Sequence, residues 1–564
     1  MLNVKIISSL DKVFYDQSIN DFKALERIST LRGERLSLQL IYAFDRDDLH
    51  RTPLFHSPVL TGELAKYATV RNVKHIPVMK YDGDENTPQL QDYLRFPPGL
   101  FPDILTPMAG GNIFAICDRM LESLWIEIDV PEDFPAGECT LGVKVDFVED
   151  QVSFHRGEPV TVAEASVTVD VIGAALPKQS LMHTEWFYTD CLAQYYNVPV
   201  WSERHWEIIE EFAKSAVKNG VTMLLTPVFT PPLDTAVGGE RLTTQLVGIK
   251  KSGNRYTFNW KLLDRWIEMC NRVGIRYFEI SHLFTQWGAT HAPKIMATEN
   301  GEYKKIFGWE TDAHGEEYKK FIQTFLKALL KHMKARGDDK RCFFHISDEP
   351  NVTQLEDYKR SKKIVEKILA DYVIMDALSS VEFYKQGITK TPVPSVSHAM
   401  DFIEAGIENM WVYYCGGGLA GYSSRMVAKP SYNNRSLGMQ MYKVGAIGFL
   451  HWGFNFYNTR RSFDAVNPFI DINGEQWVPA GDTLMVYPAQ NGTPMESIRV
   501  VVFNEGLQDM RAMQLCESLY SKEEVIAAIE ETLGDPLTFT RCAKSTSEML
   551  AIRERINAMI KAKV

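Results

Sequence analysis

The change of hydropathy pattern near residue 180 is the feature that most constrains how this chain folds. Before that point apolar and polar residues alternate in short runs, for example over 35–42, 124–130 and 141–147. Proline and glycine separate these runs, as over 131–137. Alternation with a period of two is typical of half-buried antiparallel strands. The pattern predicts an N-terminal β-sandwich domain over residues 1–178.

After residue 180, short apolar runs alternate with longer segments of helical periodicity. Strand–helix alternation with eight strands predicts a (β/α)8 barrel of the TIM type, here over residues 179–504. We expect residues 505–564 to form a C-terminal helical extension packed on the barrel. The expected barrel strands are 181–187, 221–227, 274–281, 342–347, 371–376, 393–397, 409–415 and 445–452. The expected helices are 202–218, 260–272, 316–336, 352–370, 400–407, 434–443, 508–519, 523–533 and 545–563.

Charge and cysteine content narrow the classes of partner and compartment. The 564 residues include 61 Lys and Arg against 72 Asp and Glu, a net charge of −11. This balance argues against nucleic acid or an anionic membrane as a partner. The chain has no apolar run of 18 residues, its N-terminus does not resemble a signal peptide, and its 8 cysteines are scattered without a C-x-x-C pair. These features predict a cytoplasmic protein and leave its oligomeric state open.

Two adjacent carboxylates, Asp348 and Glu349, follow the fourth expected barrel strand and precede Pro350. Catalytic groups of barrel enzymes lie at the C-terminal ends of the strands. Two neighbouring carboxylates repel one another, so one can keep a proton while the other stays ionised. The alternative is an acidic helix start that only complements the helix dipole.

A second catalytic carboxylate is missing where a two-carboxylate glycosidase would have it. The seventh strand and its loop, 409–425, contain no Asp or Glu. This disfavours a mechanism with two carboxylates across the barrel. An Asp-Glu pair alone fits substrate-assisted catalysis, in which the 2-acetamido oxygen of the substrate attacks the anomeric carbon. In the alternative, Asp464 or Asp482 is an unrecognised nucleophile.

Aromatic and polar residues gather at the expected strand ends, where they could stack on a sugar and bind its hydroxyl groups. The alternative for each aromatic residue is a place in the barrel core. The residues predicted to bind substrate are Trp186, Asp190, His282, Trp287, Trp411, Tyr413, Trp452, Asn455 and Tyr457.

Motifs for cofactors are weak or absent. The G-x-G-x-x-G sequence over 416–421 lacks a following helix and the acidic residue of a dinucleotide site, so we interpret it as a flexible loop at the rim of a pocket. The sequence has no H-E-x-x-H motif and no zinc-type spacing of Cys and His. We therefore expect no metal and no cofactor.

Together these motifs resemble glycoside hydrolase family 123. The resemblance covers nearly the whole chain and implies a β-sandwich, a barrel, a C-terminal extension and retaining β-N-acetylgalactosaminidase chemistry. The motifs that carry it are Ser347–Pro350, Trp411–Cys415, Gly448–Tyr457, Pro479–Asp482, Ser497–Arg499, Glu505–Asp509, Phe101–Leu105 and Leu181–Phe187.

The resemblance also implies individual roles. Asp348 would orient and stabilise the substrate acetamide, and Glu349 would act as the general acid/base. From its position, we expect Tyr413 to contact the acetamide oxygen. The expected substrate is an oligosaccharide or glycoconjugate with a terminal β-linked N-acetylgalactosamine or related 2-acetamido sugar. The alternatives are a glycosidase acting on sugars without an acetamide group and a carbohydrate-binding protein without catalytic activity.

Overall fold

The computed structural model describes residues 2–44, 54–56, 58–79, 92–108, 113–115, 120–147, 160–416 and 420–564. The N-terminal region consists of strands and confirms the expected β-sandwich. Its strands are β1 (Leu2–Ser8), β2 (Arg27–Arg32), β3 (Arg35–Phe44), β4 (Leu54–His56), β5 (Val59–Thr61), β6 (Ala68–Val78), β7 (Gly99–Pro107), β8 (Ile113–Ala115), β9 (Glu122–Asp129), β10 (Gly137–Phe147) and β11 (Val160–Ala175).

Two sheets form this sandwich. One has the strand order β1-β3-β9-β6-β7, and the other has the order β2-β11-β10-β4-β8 with β5 also paired to β10. Alternate residues of β3, such as Leu36, Leu38 and Leu40, are buried in the core between the sheets. The period-two pattern of the sequence therefore corresponds to the face between the sheets. The opposite face of β3, with Ser37, Gln39 and Ile41, is also buried, against a smaller cluster outside the sandwich core.

The second region contains β12 (Met182–Glu185), β13 (Met223–Thr226), β14 (Gly248–Ser252), β15 (Arg255–Asn259), β16 (Tyr277–Ile280), β17 (Ile295–Glu299), β18 (Glu302–Phe307), β19 (Cys342–Phe344), β20 (Val373–Ala377), β21 (Thr391–Val393), β22 (Trp411–Tyr413), β23 (Gly448–His451), β24 (Val486–Pro488) and β25 (Pro494–Glu496). Eight of these form a parallel sheet in the order β21-β20-β19-β16-β13-β12-β23-β22. A parallel bridge between Ser395 and Tyr413 joins its two ends, so the sheet closes into the expected barrel.

The helices are α1 (Thr189–Tyr195), α2 (Glu203–Lys218), α3 (Lys261–Val273), α4 (Glu316–Arg336), α5 (Leu355–Val365), α6 (Glu382–Lys385), α7 (Ala399–Glu404), α8 (Ser431–Val444), α9 (Ile498–Leu519), α10 (Lys522–Leu533) and α11 (Thr546–Lys561). Capping residues mark several of their ends. The hydroxyl of Ser202 accepts a hydrogen bond from the backbone of α2, and Gly274 and Gly337 end α3 and α4 in the left-handed conformation.

One part of the barrel region was not expected from the sequence. Strands β14, β15, β17 and β18 form a separate four-stranded sheet in the loops that follow the second and third barrel strands. Each of these strands is only five or six residues long, so even the alternation in β15 is too brief to identify a strand from sequence.

Buried ion pairs connect the C-terminal helices to both other regions. Arg435 of α8 contacts Asp509 of α9 at 2.7 Å, and Arg553 of α11 contacts both Asp509 and Glu34 of the sandwich at 2.7 Å. Through these contacts the C-terminal helices pack against α8 of the barrel and against the sandwich. Helix α9 crosses the expected boundary at 504/505, and the limits of the three regions remain predictions. None of the described helices combines the length and apolar character needed to cross a membrane.

Candidate active site

A pocket of about 220 Å³ opens at the C-terminal ends of the barrel strands. Acidic and aromatic side chains dominate its wall, which matches a concave site with a few polar groups among rings. The lining residues are Trp186, Tyr188, Leu233, Asp234, Gln286, Trp287, Asp348, Glu349, Ala377, Tyr413, Cys415, Gly416, Leu450, Trp452, Trp477, Val478 and Asp482.

The backbone after β19 turns both carboxylates of the Asp-Glu pair into this pocket. Glu349 has a φ of 43°, in the left-handed region that residues other than glycine rarely adopt. Its N–H donates to the carbonyl of Ala377 at 2.9 Å, and the carbonyl of Asp348 accepts from the N–H of Trp287 at 3.2 Å. Trp287 and Asp234, also in the wall, have φ values of 57° and 37°. Strained backbone of this kind concentrates at functional sites.

The two carboxyl groups share an environment that favours one proton on the pair. Burial and the neighbouring Glu349 carboxylate raise the pKa of Asp348 well above its ordinary value. The Tyr413 hydroxyl donates to Oε1 of Glu349 at 2.5 Å, and the Cys415 thiol lies 3.7 Å from the same oxygen. Burial and the Glu349 carboxylate raise the pKa of Tyr413 well above 10, so this phenol stays a donor. The pair can therefore donate one proton and provide one carboxylate.

Aromatic rings surround the pair. Trp186 is held at the pocket floor by a hydrogen bond from its Nε1 to Glu279 at 2.8 Å. Trp287 is 38% exposed at the rim. Trp452 and Trp477 meet at a centroid distance of 5.6 Å and an angle of 56°, so they form a corner of the wall. Such flat apolar faces suit the C–H faces of a sugar ring.

Three other carboxylates, Asp482, Asp464 and Asp234, differ in their position and in the hydrogen bonds that their oxygens accept. Asp482 is fully buried and accepts hydrogen bonds from the N–H of Gly416 at 2.7 Å and from Nε1 of Trp452 at 3.1 Å, with Nε2 of His451 at 3.3 Å. Asp464 is exposed and does not line the pocket. Oδ2 of Asp234 accepts from the N–H of Arg461 at 2.8 Å, and burial raises the pKa of Asp234 to about 6.

The structure brings Trp186, Trp287, Tyr413 and Trp452 of the predicted binding set into the pocket with the Asp-Glu pair. The hydroxyl of Tyr413 donates a hydrogen bond to Glu349, and its expected contact with the acetamide oxygen of a substrate stays a prediction. The other five residues lie behind the pocket wall, where their side chains are hydrogen-bonded to or buried against other protein groups.

Two of these five are tied into the fold by hydrogen bonds to polar partners. Asp190 forms a buried ion pair with Arg241 at 2.8 Å. Asn455 exchanges two hydrogen bonds with the backbone of Tyr188. Both side chains build the first and last barrel loops and do not reach the pocket.

The remaining three are core residues, as the alternative reading of the aromatic set anticipated. His282 is fully buried and stacks on His345, with ring centroids 4.3 Å apart. Trp411 is fully buried against Gly448, where a Cβ atom would lie 2.1 Å from the indole ring. The hydroxyl of Tyr457 donates to the carbonyl of Val486 at 2.9 Å.

The polar or aromatic residues of the pocket that sequence reasoning missed include Tyr188, Asp234, Gln286 and Trp477. Asp234 and Gln286 lie in the loops after the second and third barrel strands, and the Gln286 side chain accepts from the N–H of Asp234 at 2.6 Å. Loop position was the available signal, since loops at this end of a barrel form the site. Of the glycine-rich loop, residues 417–419 lie outside the described residues. Within the described ranges, no group of three metal-ligating side chains is placed to hold an ion.

Comparisons with known proteins identify the family and the fold of the chain. The family model "Glycoside hydrolase 123, catalytic domain" matches residues 186–516, more than half of the chain. A family 123 glycoside hydrolase from Clostridium perfringens, whose structure addresses glycolipid glycan hydrolysis, is similar in fold with a TM-score of 0.73 at 15% identity. The match covers 100% of this chain and 98% of that one. A psychrophilic family 10 endo-beta-1,4-xylanase matches 54% of this chain and 95% of its own at 9% identity, with a TM-score of 0.27. No curated protein matches the sequence.

Proposed function

Because the chain belongs to glycoside hydrolase family 123, we propose that it removes a terminal β-linked N-acetylgalactosamine, or a related 2-acetamido sugar, with retention of configuration. Hydrolysis uses the substrate's own acetamide group as the nucleophile. Family membership favours this activity over a carbohydrate-binding role without catalysis. The relative from Clostridium perfringens is described with glycolipid glycan hydrolysis, and we extend to this chain an oligosaccharide or glycoconjugate substrate.

The observation that carries the proposal is the direction of the two adjacent carboxyl groups. Asp348 and Glu349 both line one pocket, and burial together with the neighbouring Glu349 carboxylate raises the pKa of Asp348. Asp482, the alternative nucleophile within the pocket, has its oxygens taken up by His451, Trp452 and Gly416. A carboxylate held by three neighbours is poorly placed to attack an anomeric carbon.

The proposed first step breaks the glycosidic bond with the proton held by the pair. The acetamide oxygen attacks the anomeric carbon, the bond from that carbon to the leaving oxygen breaks, and Glu349 gives its proton to that oxygen. Asp348 accepts a hydrogen bond from the acetamide N–H, which develops positive character as the bicyclic oxazolinium forms. An attack within one molecule has a high effective molarity, and substrate binding favours the ionised form of Asp348.

The second step restores the enzyme. Water attacks the anomeric carbon from the face that the leaving group vacated, and Glu349 takes the proton of that water. The carbon–oxygen bond to the acetamide breaks, and the amide is regenerated. Two inversions give a product with the configuration of the substrate.

The direct experiment compares wild type with Glu349→Gln on aryl β-N-acetylgalactosaminides with good and poor leaving groups. Loss of the general acid should lower turnover roughly 100- to 10,000-fold for poor leaving groups and much less for good ones. Glu356→Gln, which removes an exposed carboxylate from α5, is the matched control and should be unchanged. Equal turnover by Glu349→Gln and wild type would remove Glu349 from the mechanism.

Asp348 is tested through a mimic of the cyclic intermediate. A thiazoline analogue should inhibit the wild type, and Asp348→Asn should weaken that inhibition because the amide loses the negative charge that faces the ring nitrogen. Tight inhibition that Asp348→Asn leaves unaffected would contradict the assigned role.

A second candidate is a glycosidase that acts on sugars without an acetamide group. Asp234 favours it, because this carboxylate lines the pocket and only its Oδ2 has a hydrogen-bond partner in the described part of the chain. Equal activity on unsubstituted galactosides, with a covalent 2-fluoro sugar trapped on Asp234, would support this candidate. If the acetamide mechanism operates, Asp234→Ala should raise KM and no trapped carboxylate should be found.

We also propose that the enzyme works in the cytoplasm. The cysteines among the described residues are all free thiols, which fits a reducing compartment. Fractionation of cells of the source species with an antibody against the protein would test this location.

A further inference from the structure

A buried histidine lies between two carboxylates beneath the Asp-Glu pair. His345 is three residues before Asp348, and its Nε2 lies 2.7 Å from Oε1 of Glu279. Its Nδ1 lies 3.3 Å from Oδ1 of Asp376. All three side chains have no exposed surface, so water does not mediate or screen these contacts.

The two carboxylates beside His345 determine how many of its ring nitrogens must carry a proton. A neutral imidazole carries one N–H, and its other nitrogen is an acceptor. In either neutral tautomer, a bare nitrogen of His345 would face a carboxylate oxygen of Glu279 or Asp376. An imidazolium donates to both carboxylates and leaves neither lone pair opposed. Consistent with the geometry, these two carboxylates raise the pKa of His345 to about 9 despite its burial.

The groups around His345 fit a single fixed positive charge. His282 stacks on it at an interplanar angle of 20°, and burial together with the His345 charge lowers the pKa of His282 well below 6.5. Trp186 meets the ring edge-on at 6.4 Å. The other charged partner, Asp376, also accepts a hydrogen bond from the Tyr358 hydroxyl at 2.5 Å.

The same carboxylate also holds the backbone that leads to the catalytic pair. Oδ1 of Asp376 accepts the N–H groups of Ile346 at 2.9 Å and Ser347 at 3.2 Å. Of the charged groups acting on Asp348, Glu349, Asp376 and Asp234 are acidic and oppose its ionisation, whereas His345 is a cation and favours it.

We propose that His345 is a positioning residue, a fixed imidazolium that anchors the segment leading to Asp348 and opposes the acidic neighbours, so that the ionised Asp348 needed for its role with the acetamide is easier to form. The assignment of the Asp348 role rests on the proposed function. The charge on His345 does not depend on it and is measured separately.

The charge is tested by ¹⁵N nuclear magnetic resonance of the full chain labelled at histidine, with His345→Gln used to assign the ring signals. Both ring nitrogens of His345 should carry a proton at pH 7.5. His205 is the internal comparison, because its Nδ1 accepts from the N–H of Trp201 at 3.0 Å and its Nε2 lies 2.9 Å from the carbonyl of Thr189. That ring should show one N–H, and a single N–H on His345 would overturn the proposal.

The effect on Asp348 is tested by the pH at which kcat/KM falls on the acidic side. In His345→Gln the loss of a nearby cation raises the pKa of Asp348, so this pH should rise by about one unit or more. In Asp376→Asn the amide oxygen can still accept from Nδ1 and Glu279 still faces Nε2, so the ring should keep both protons. The loss of the nearby anion then acts in the opposite direction, and the same pH should fall.

The control for this measurement is His205→Gln, which removes a buried neutral histidine from α2 and should leave the acidic limb in place. Shifts of opposite sign in the two variants support the proposal. A loss of kcat at every pH, with the acidic limb unmoved in Asp376→Asn and His345→Gln, is the result of a purely structural role and would overturn it. If His345→Gln does not fold, Asp376→Asn still tests the sign of the shift in the acidic limb. The histidine ring signals that change between Asp376→Asn and wild type at pH 7.5 then assign His345. If the wild type hydrolyses no acetamido sugar, the proposed function fails while the resonance measurement still decides the charge on His345.

Discussion

The buried ion pair between Asp103 of the sandwich and Arg499 of α9 connects the N-terminal region to the wall of the active site. Nε of Arg499 donates to Oδ1 of Asp103 at 2.9 Å, and Nη2 donates to Oδ2 at 3.0 Å. The two side chains are 0% and 2% exposed. Arg499 also donates to the carbonyl of Gly481 at 2.6 Å, directly before Asp482 in the pocket wall.

The substitution Asp103→Asn keeps the shape of the side chain but leaves the arginine charge buried without its partner. At an effective dielectric constant of about 20, unit charges about 4 Å apart attract by roughly 4 kcal/mol. Breaking a buried pair by removing one partner costs about 3 to 5 kcal/mol in measured cases. We therefore expect the free energy of unfolding to fall by about 3 to 5 kcal/mol, because no cavity forms and the charge effect dominates.

The measurement is urea unfolding followed by tryptophan fluorescence and circular dichroism. The control is Glu203→Gln, which breaks the pair between Glu203 and Arg265, where the side chains are 79% and 40% exposed. An exposed pair contributes about 0 to 1 kcal/mol. A loss below 1 kcal/mol in Asp103→Asn, equal to that of the control, would refute the reasoning. A fall in kcat/KM of Asp103→Asn under native conditions would show in addition that the pair holds the Asp482 loop.

Three further predictions address packing, pH and substrate contact. In Gly438→Ala the new Cβ would lie 1.8 Å from the carbonyl oxygen of Gly506. The forced separation of α8 and α9 should lower the free energy of unfolding in urea by about 3 kcal/mol or more. In the comparison variant Gly534→Ala the new Cβ meets no atom within 4 Å, so the loss of stability should be smaller. Burial lowers the pKa of Lys12 from 10.5 to about 7. Between these pH values the unfolded chain binds more protons than the folded chain, so the stability of the wild type should rise with pH. Lys12→Met should lack this rise in denaturation experiments at pH 7 to 10, and parallel stability curves for the two proteins would contradict the prediction. Trp477→Ala removes one wall of the pocket and should raise KM by roughly tenfold, about 1.4 kcal/mol, with kcat less affected; steady-state kinetics that show an unchanged KM would exclude a contact with the sugar.

The order of elements and the position of the catalytic pair followed from local pattern. All eight barrel strands lie within or next to the expected runs, because their apolar residues are fixed by burial inside one closed sheet. The place of Asp348 and Glu349 in the segment that follows β19 could be inferred from chain order alone, since every parallel strand of the barrel ends at the same face. Helix α9 begins at Ile498, and the expected start at residue 508 was wrong. The first turns of the helix are buried and mostly apolar, so they do not show the alternation of polar and apolar faces that identifies a helix in sequence.

The division of the aromatic and polar set was decided by tertiary contacts. Trp411 is the first residue of β22 and packs on Gly448 in the core, whereas Trp452 follows the C-terminal end of β23 and lines the pocket. Asp190 is neutralised by Arg241, 51 residues further along the chain. No local pattern specifies such long-range partners, so these side chains could not be assigned to the wall or to the core from their own neighbours in sequence.

The sequence by itself determined the layered architecture, the family resemblance and the two adjacent carboxylates at the end of the fourth barrel strand. Periodicity reports which face of a segment is buried, and chain order in a parallel barrel fixes which ends meet. The tertiary structure alone decided the left-handed backbone of Glu349, the arrival of Asp234 and Trp477 in the wall, and the position of His345 between Glu279 and Asp376. Those features depend on groups far apart in the chain, whose distances exist only once the barrel has closed.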